Sequence, residues 1–212
     1  MTLTVNGTAA DRATIERWLQ EICWRIRVNP TTGAVAQVAG PPAVGAHETG
    51  CACLDAIIRS ERTVTVQPLA GPNTPVPGTT TKIKDWGGGV TSIPAGSTGT
   101  PANPGKGADG NTGASTTTHI DISNNGGAGY PHGFPMWFVL AHELTTGHAS
   151  HCVAGTSAAT YAGRERQAIG SEHAHADEHG LPKRPLPPDS GGFEQPHEGI
   201  GPGPYQPFTP IG

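Results

Sequence analysis

One stretch limits this chain more than any other. It runs Phe138-Val139-Leu140-Ala141-His142-Glu143-Leu144, then Thr145-Thr146-Gly147-His148-Ala149-Ser150-His151-Cys152. Trp137, Phe138, Val139 and Leu140 directly precede the His-Glu pair, so an apolar run carries two ionisable groups into the interior. Buried polar and charged groups cost free energy unless they are paired or bind a metal. A metal site is the first reading.

The pattern departs from the usual peptidase helix, H-E-x-x-H. There, two His at i and i+4 lie about 40° apart on one face and hold the ion, and the Glu beside the first His activates the bound water. Here the i+4 position is Thr146 and the next His is His148, at i+6. A regular helix sets those two about 240° apart, so they cannot share one ion on an unbroken helix. Thr145 and Thr146 are β-branched and Gly147 is a weak helix former, so the helix is soft at that point. A break there brings His148 back towards His142. Two other pairings stay open: His148 with Cys152 at i,i+4, and His148 with His151 at i,i+3.

Gly (31) and Pro (21) make up about a quarter of the 212 residues, and much of that excess falls in residues 70–115 and 182–212. The packed core must come from the remainder, which predicts one domain over 1–184, a long loop insertion over 70–115 and a Pro/Gly-rich tail over 185–212. The net charge of −4 argues against a nucleic-acid binder. No run of 18 apolar residues spans a membrane. Met1-Thr2-Leu3-Thr4-Val5 lacks the basic start and apolar segment of a cleaved signal peptide. Four cysteines, Cys23, Cys51, Cys53 and Cys152, are too few for a disulfide scaffold, and Cys51 and Cys53 are awkward partners for each other. Disulfides to Cys23 or Cys152 stay open.

Along the chain, Thr2–Val5 reads as a short strand. Ala10–Arg27 reads as a helix capped by Asp11, with Ile15, Trp18, Leu19, Ile22 and Ile26 at helical spacing. Residues 31–49 read as loop, Thr49–Arg59 as a second helix and Arg62–Gln67 as a strand. Pro68 to Thr118 is low in complexity, with Lys82–Trp86 as one short strand inside it. Thr116–Ser123 alternates on Ile120 and Ile122 and reads as a strand, either lining a substrate cleft or internal to the sheet. Residues 124–127 form a turn, and the helix carrying His142 spans about 136–147.

After Arg164–Gly170, read as a short turn of helix, Ser171 and Gly180 bound a helix rich in ligand types: Glu172, His173, His175, Asp177, Glu178 and His179. A catalytic zinc keeps three protein ligands and an open position. His142 and His148 need a third, and Glu172 is the preferred candidate. Glu165, His173 and His175 are the alternatives.

These residues resemble the M91 family of zinc metallopeptidases, typified by secreted effector proteases, and related peptidase domains of polymorphic toxins. Thr49-Gly50-Cys51-Ala52-Cys53-Leu54-Asp55-Ala56-Ile57 with Val64-Thr65-Val66 is similar to the family's helix-strand unit, G-x-x-L-L-x-x-I followed by V-x-I. Leu140-Ala141-His142-Glu143-Leu144 with His148-Ala149-Ser150-His151 is similar to L-x-H-E-L-x-H-A-x-H with two extra residues. Residues 172–184, with Glu178-His179-Gly180-Leu181-Pro182-Lys183-Arg184, resemble the E-N-x-x-R-x-E-H-G-L-P-x-R ending of many toxin relatives.

The resemblance implies an α+β, zincin-like domain: a short mixed sheet against the active-site helix, with long Gly/Pro-rich loops. It implies Zn2+ on His142, His148 and Glu172, with Glu143 as general base. Glu143 would take a proton from water and deliver it to the leaving amine. The oxyanion donor stays open among Tyr161, Tyr130, His173 and His175. The resemblance also implies an effector or toxin that a specialised secretion system delivers into a target cell, a protein or peptide substrate there, and a cognate immunity protein. The competing expectation is a non-catalytic, zinc-stabilised binding module closed by His148, His151, Cys152 and one residue of 173–179.

Overall fold

The computed structural model describes residues 3–92, 109–123, 134–145, 148–156, 161–183 and 186. The chain is α+β. Strand β1 (Leu3–Val5) leads into helix α1 (Ala9–Ile22), then β2 (Ile26–Val28), β3 (Val35–Gln37), α2 (Cys51–Arg59) and β4 (Val64–Leu69). β5 (Gly89–Ser92), β6 (Thr116–Asp121), α3 (Met136–Leu144), α4 (His148–Ala154) and α5 (Tyr161–His179) follow. No helix among the described residues is long and apolar enough to cross a membrane.

The main sheet has the order β1-β4-β6-β5. β1, β4 and β6 run parallel, and β5 pairs antiparallel with β6. Among the described residues, β5 has no strand on its other side. The alternation of Val64 and Val66, in register beside Thr116 and Thr118, turns one face of the sheet towards the helices. That face packs Leu3, Val5, Val64, Val66 and Ile120 against Ile15, Leu19 and Ile22 of α1, Leu54 and Ile57 of α2, and Leu140 and Leu144 of α3. A smaller cluster of Leu69, Val76 and Ile83, with Trp86 and Val90 against it, forms a second apolar group.

Several element boundaries differ from expectation. Thr8, not Asp11, caps α1; Thr8 Oγ1 accepts the Asp11 N–H and Asp11 accepts the Thr8 N–H, so both residues of a capping box are used. α1 stops at Ile22 because the chain turns to build the β2–β3 hairpin, which takes Val35–Gln37 out of the predicted loop. Lys82–Trp86 is not a strand: Ile83–Trp86 forms a short 3-10 turn ended by Gly87, which takes a left-handed φ of 70°. Part of the predicted 70–115 loop is sheet, since β5 lies within it. Arg164–Gly170 and Ser171–Gly180 are not two helices. They are parts of α5, and Ser171 lies inside it with its hydroxyl donating to the Gln167 carbonyl.

Candidate metal centre

α3 has no polar face. Met136, Phe138, Leu140, Ala141 and Leu144 are buried, and so are His142 and Glu143, at 5% and 6% exposure. A helix that is apolar all round must be covered on all sides. α1, α5, β5 and β6 do this. α3 ends at Leu144 and α4 begins at His148, so the helix is interrupted at the stretch the sequence marks as weak. Thr145 still has helical backbone, with its N–H on the Ala141 carbonyl; Thr146 and Gly147 lie outside the described residues. The two-helix arrangement brings the rings of His142 and His148 to 5.2 Å between centroids, at 71° to each other.

The third member of the group is Glu165, one of the alternatives to Glu172, the preferred candidate. One ligand atom each from His142, His148 and Glu165 lies within 4.8 Å of the others. His148 Nε2 is 3.1 Å from Glu165 Oε1, and His142 Nε2 is 3.7 Å from Glu165 Oε2. Glu172 sits on the opposite edge of the same imidazole, with Oε2 2.9 Å from His142 Nδ1, and is fully buried. Helix geometry explains the division. Glu165 and Glu172 are i,i+7 on α5, on one face but about 10 Å apart along the axis. An imidazole between them can offer one nitrogen to each carboxylate.

Glu143 is fixed from the sheet side. Thr91 Oγ1 of β5 donates to Glu143 Oε2 at 2.7 Å, and Thr118 Oγ1 lies 2.9 Å from Thr91 Oγ1. β5 can come this close because of Gly89. A Cβ there would stand 2.8 Å from Val139 Cγ1 and 3.1 Å from Glu143 Cγ. Burial lowers the His148 pKa, but the nearby charge of Glu143 and the hydrogen bond and charge of Glu165 outweigh it, so the net direction is upward. Two carboxylates therefore face one imidazole, which suits a divalent ion.

Other expected residues go elsewhere. His151 Nδ1 is 2.8 Å from Thr156 Oγ1, and neither His151 nor the buried Cys152 joins the group. The expected closed set of His148, His151, Cys152 and one residue of 173–179 is not among the groups that the described residues form. His175 is 2% exposed, its Nε2 lies 3.1 Å from Thr145 Oγ1, and its Cε1 abuts Gly50. It is not a member of the His142–His148–Glu165 group. His173 is outside the group. Tyr161 opens α5, but its side chain, like Tyr130, lies outside the described residues. β6 is internal to the sheet, between β4 and β5, so the edge beside α3 belongs to β5 and not to residues 116–123. Sequence reasoning missed Thr91 altogether.

Fold and site together define an α+β protein with a His/His/Glu group suited to one divalent ion. Compared with family models, curated proteins and solved structures, the chain matches none of them.

Proposed function

We propose that this chain is a zinc-dependent peptidase of the kind its motifs resemble, with a zincin-like site. The observation that carries the reading is the convergence of His142, His148 and Glu165, with Glu143 next in sequence to a ligand and held by Thr91. Two imidazole nitrogens and one carboxylate are the donor set of a catalytic zinc. Glu172, on Nδ1 of His142, has the outer partner role that orients such ligands. A bound zinc supplies Lewis-acid polarisation of a carbonyl and acidifies water to a pKa of about 7.

The chain's own residues do the rest. An ionised Glu172 can only accept, so Nδ1 of His142 carries the proton and Nε2 presents its lone pair. Glu143 accepts a proton from water and returns it to the leaving amine. Thr91 holds one oxygen of that carboxylate, which leaves the other for the proton. The side of β5 that has no neighbouring strand among the described residues would offer main-chain groups to an extended peptide, as in strand-addition recognition. The resemblance of residues 49–66, 118–151 and 172–184 to effector and toxin peptidases extends the proposal to delivery into a target cell, a protein substrate there and an immunity partner.

The test is digestion of unfolded protein substrates by the zinc-loaded chain, with new termini read by mass spectrometry. Glu143→Gln is expected to lower cleavage at least about 100-fold while zinc stays bound. Full activity in that variant, or a wild type that holds no zinc, overturns the reading.

A further inference from the structure

A second His/Glu group lies at the far end of α5. Glu21 is in the last turn of α1, His47 is in the irregular segment before α2, and His179 ends α5. One ligand atom from each lies within 4.8 Å of the others. His47 Nε2 is 3.7 Å from Glu21 Oε2, and His179 Nε2 is 2.9 Å from the Glu21 carbonyl oxygen. His179 is 14 residues further along α5 than Glu165, or about 21 Å, so this group is separate from the one on His142.

A second observation points to a cation. Glu178 uses Oε1 to accept the backbone N–H groups of Glu48 and Thr49, at 2.7 and 3.3 Å. Its Oε2 is buried without a hydrogen-bond partner, 4.0 Å from His179 Nε2. A buried carboxylate oxygen with nothing to accept is costly, and a nearby cation relieves it. Mixed imidazole and carboxylate donors favour zinc over magnesium or calcium.

We propose that Glu21, His47 and His179, with Glu178 Oε2 beside them, form a second zinc site that ties the end of α5 to the end of α1 and to the segment before α2. Its ligands come from three separate stretches, so the ion acts as a cross-link. In this structure the rings of His47 and His179 stack at 3.7 Å, and Trp137 packs on the other side of His179 at 4.1 Å.

This inference does not depend on the peptidase reading, and metal stoichiometry tests it. Chelator-stripped wild type, His47→Ala, the double variant His142→Ala/His148→Ala, and the triple variant combining all three changes are titrated with zinc. Bound metal is then counted after desalting. His47→Ala is expected to remove one equivalent from both the wild type and the double variant. Glu21→Gln, an exposed and isosteric change, is expected to weaken the same site about tenfold and guards against a folding defect at His47. Unchanged zinc content in His47→Ala together with unchanged affinity in Glu21→Gln overturns the proposal. Loss of zinc in the double variant alone would leave only the His142 site standing and also overturns it.

Discussion

His142 stands between two carboxylates of one helix: Nδ1 is 2.9 Å from Glu172 Oε2, and Nε2 is 3.7 Å from Glu165 Oε2. The two glutamates therefore have different jobs, and their variants must differ. Glu172→Gln keeps a partner on Nδ1 but removes the charge, and is expected to weaken zinc binding about 10- to 100-fold. Glu165→Gln removes a direct donor and is expected to weaken it more. Competition with a chromophoric chelator ranks them, and the reverse order would return the ligand role to Glu172.

Thr91 acts on Glu143 through a short hydrogen bond. Thr91→Val keeps the β-branched shape and removes the donor. Hydrogen bonds to charged groups contribute about 1.5–3 kcal/mol, so kcat is expected to fall about 10-fold or more. Zinc affinity should be unchanged, because Thr91 touches neither imidazole. A drop in zinc content with kcat per bound zinc unchanged would make Thr91 a structural residue only.

Much of this arrangement was legible where period and burial agree. Ile15, Trp18, Leu19 and Ile22 face the core as their spacing predicts, and Val64 and Val66 share the buried face of β4. The weak point after Leu144 could be read from Thr145-Thr146-Gly147, because helix propensity is local. The third member of the His142–His148 group was not legible. Gly163 and Gly170 argue for short helices, yet α5 runs unbroken through both, since packing against α3 overrides a propensity loss of about 1 kcal/mol per glycine. Once α5 is continuous, Glu165 and Glu172 fall on one face and only one can reach Nε2. β5 was hidden for a related reason. Gly87-Gly88-Gly89 reads as loop, but Gly89 is what lets the strand approach Glu143 and Val139.

His175 gives the fold a pH dependence of its own. Burial pushes its pKa down to about 4, with smaller effects from the charges of Glu178 and Glu172, which raise it, and of His179, which lowers it, and its Nδ1 has no hydrogen-bond partner. The unfolded chain titrates near 6.5. Between those values the unfolded state binds more protons, so stability rises with pH there. The contribution is complete above about pH 6.5, is lost as pH falls towards 4, and amounts to on the order of 2–3 kcal/mol. Urea unfolding of the metal-free protein at pH 7.5 and pH 4.5 measures it, and His175→Gln is expected to flatten the difference. An equal slope in that variant would assign the effect to other groups.

Cys23 and Cys51 form a disulfide across 28 residues, while Cys53 and Cys152 are free thiols. Sequence left this pairing open because spacing alone does not say where α1 ends or α2 begins. In the structure Cys23 caps the end of α1 and Cys51 starts α2. Gly50 brings the two together: a Cβ at that position would stand 2.2 Å from Ile22 Cγ2 and 2.9 Å from His175 Cε1. Closing a loop of this length restricts the unfolded chain by about 3–4 kcal/mol at 25 °C. Thiol titration under denaturing conditions is expected to find two free thiols per chain, and four after reduction. Reduction, or Cys23→Ala with Cys51→Ala, is expected to lower unfolding free energy by about that amount. The loss should also reach α5, because His175 leans on Gly50, so amide exchange in residues 172–179 should speed up along with that of α2. Protection of α5 that does not change on reduction would confine the disulfide's effect to the α1–α2 connection.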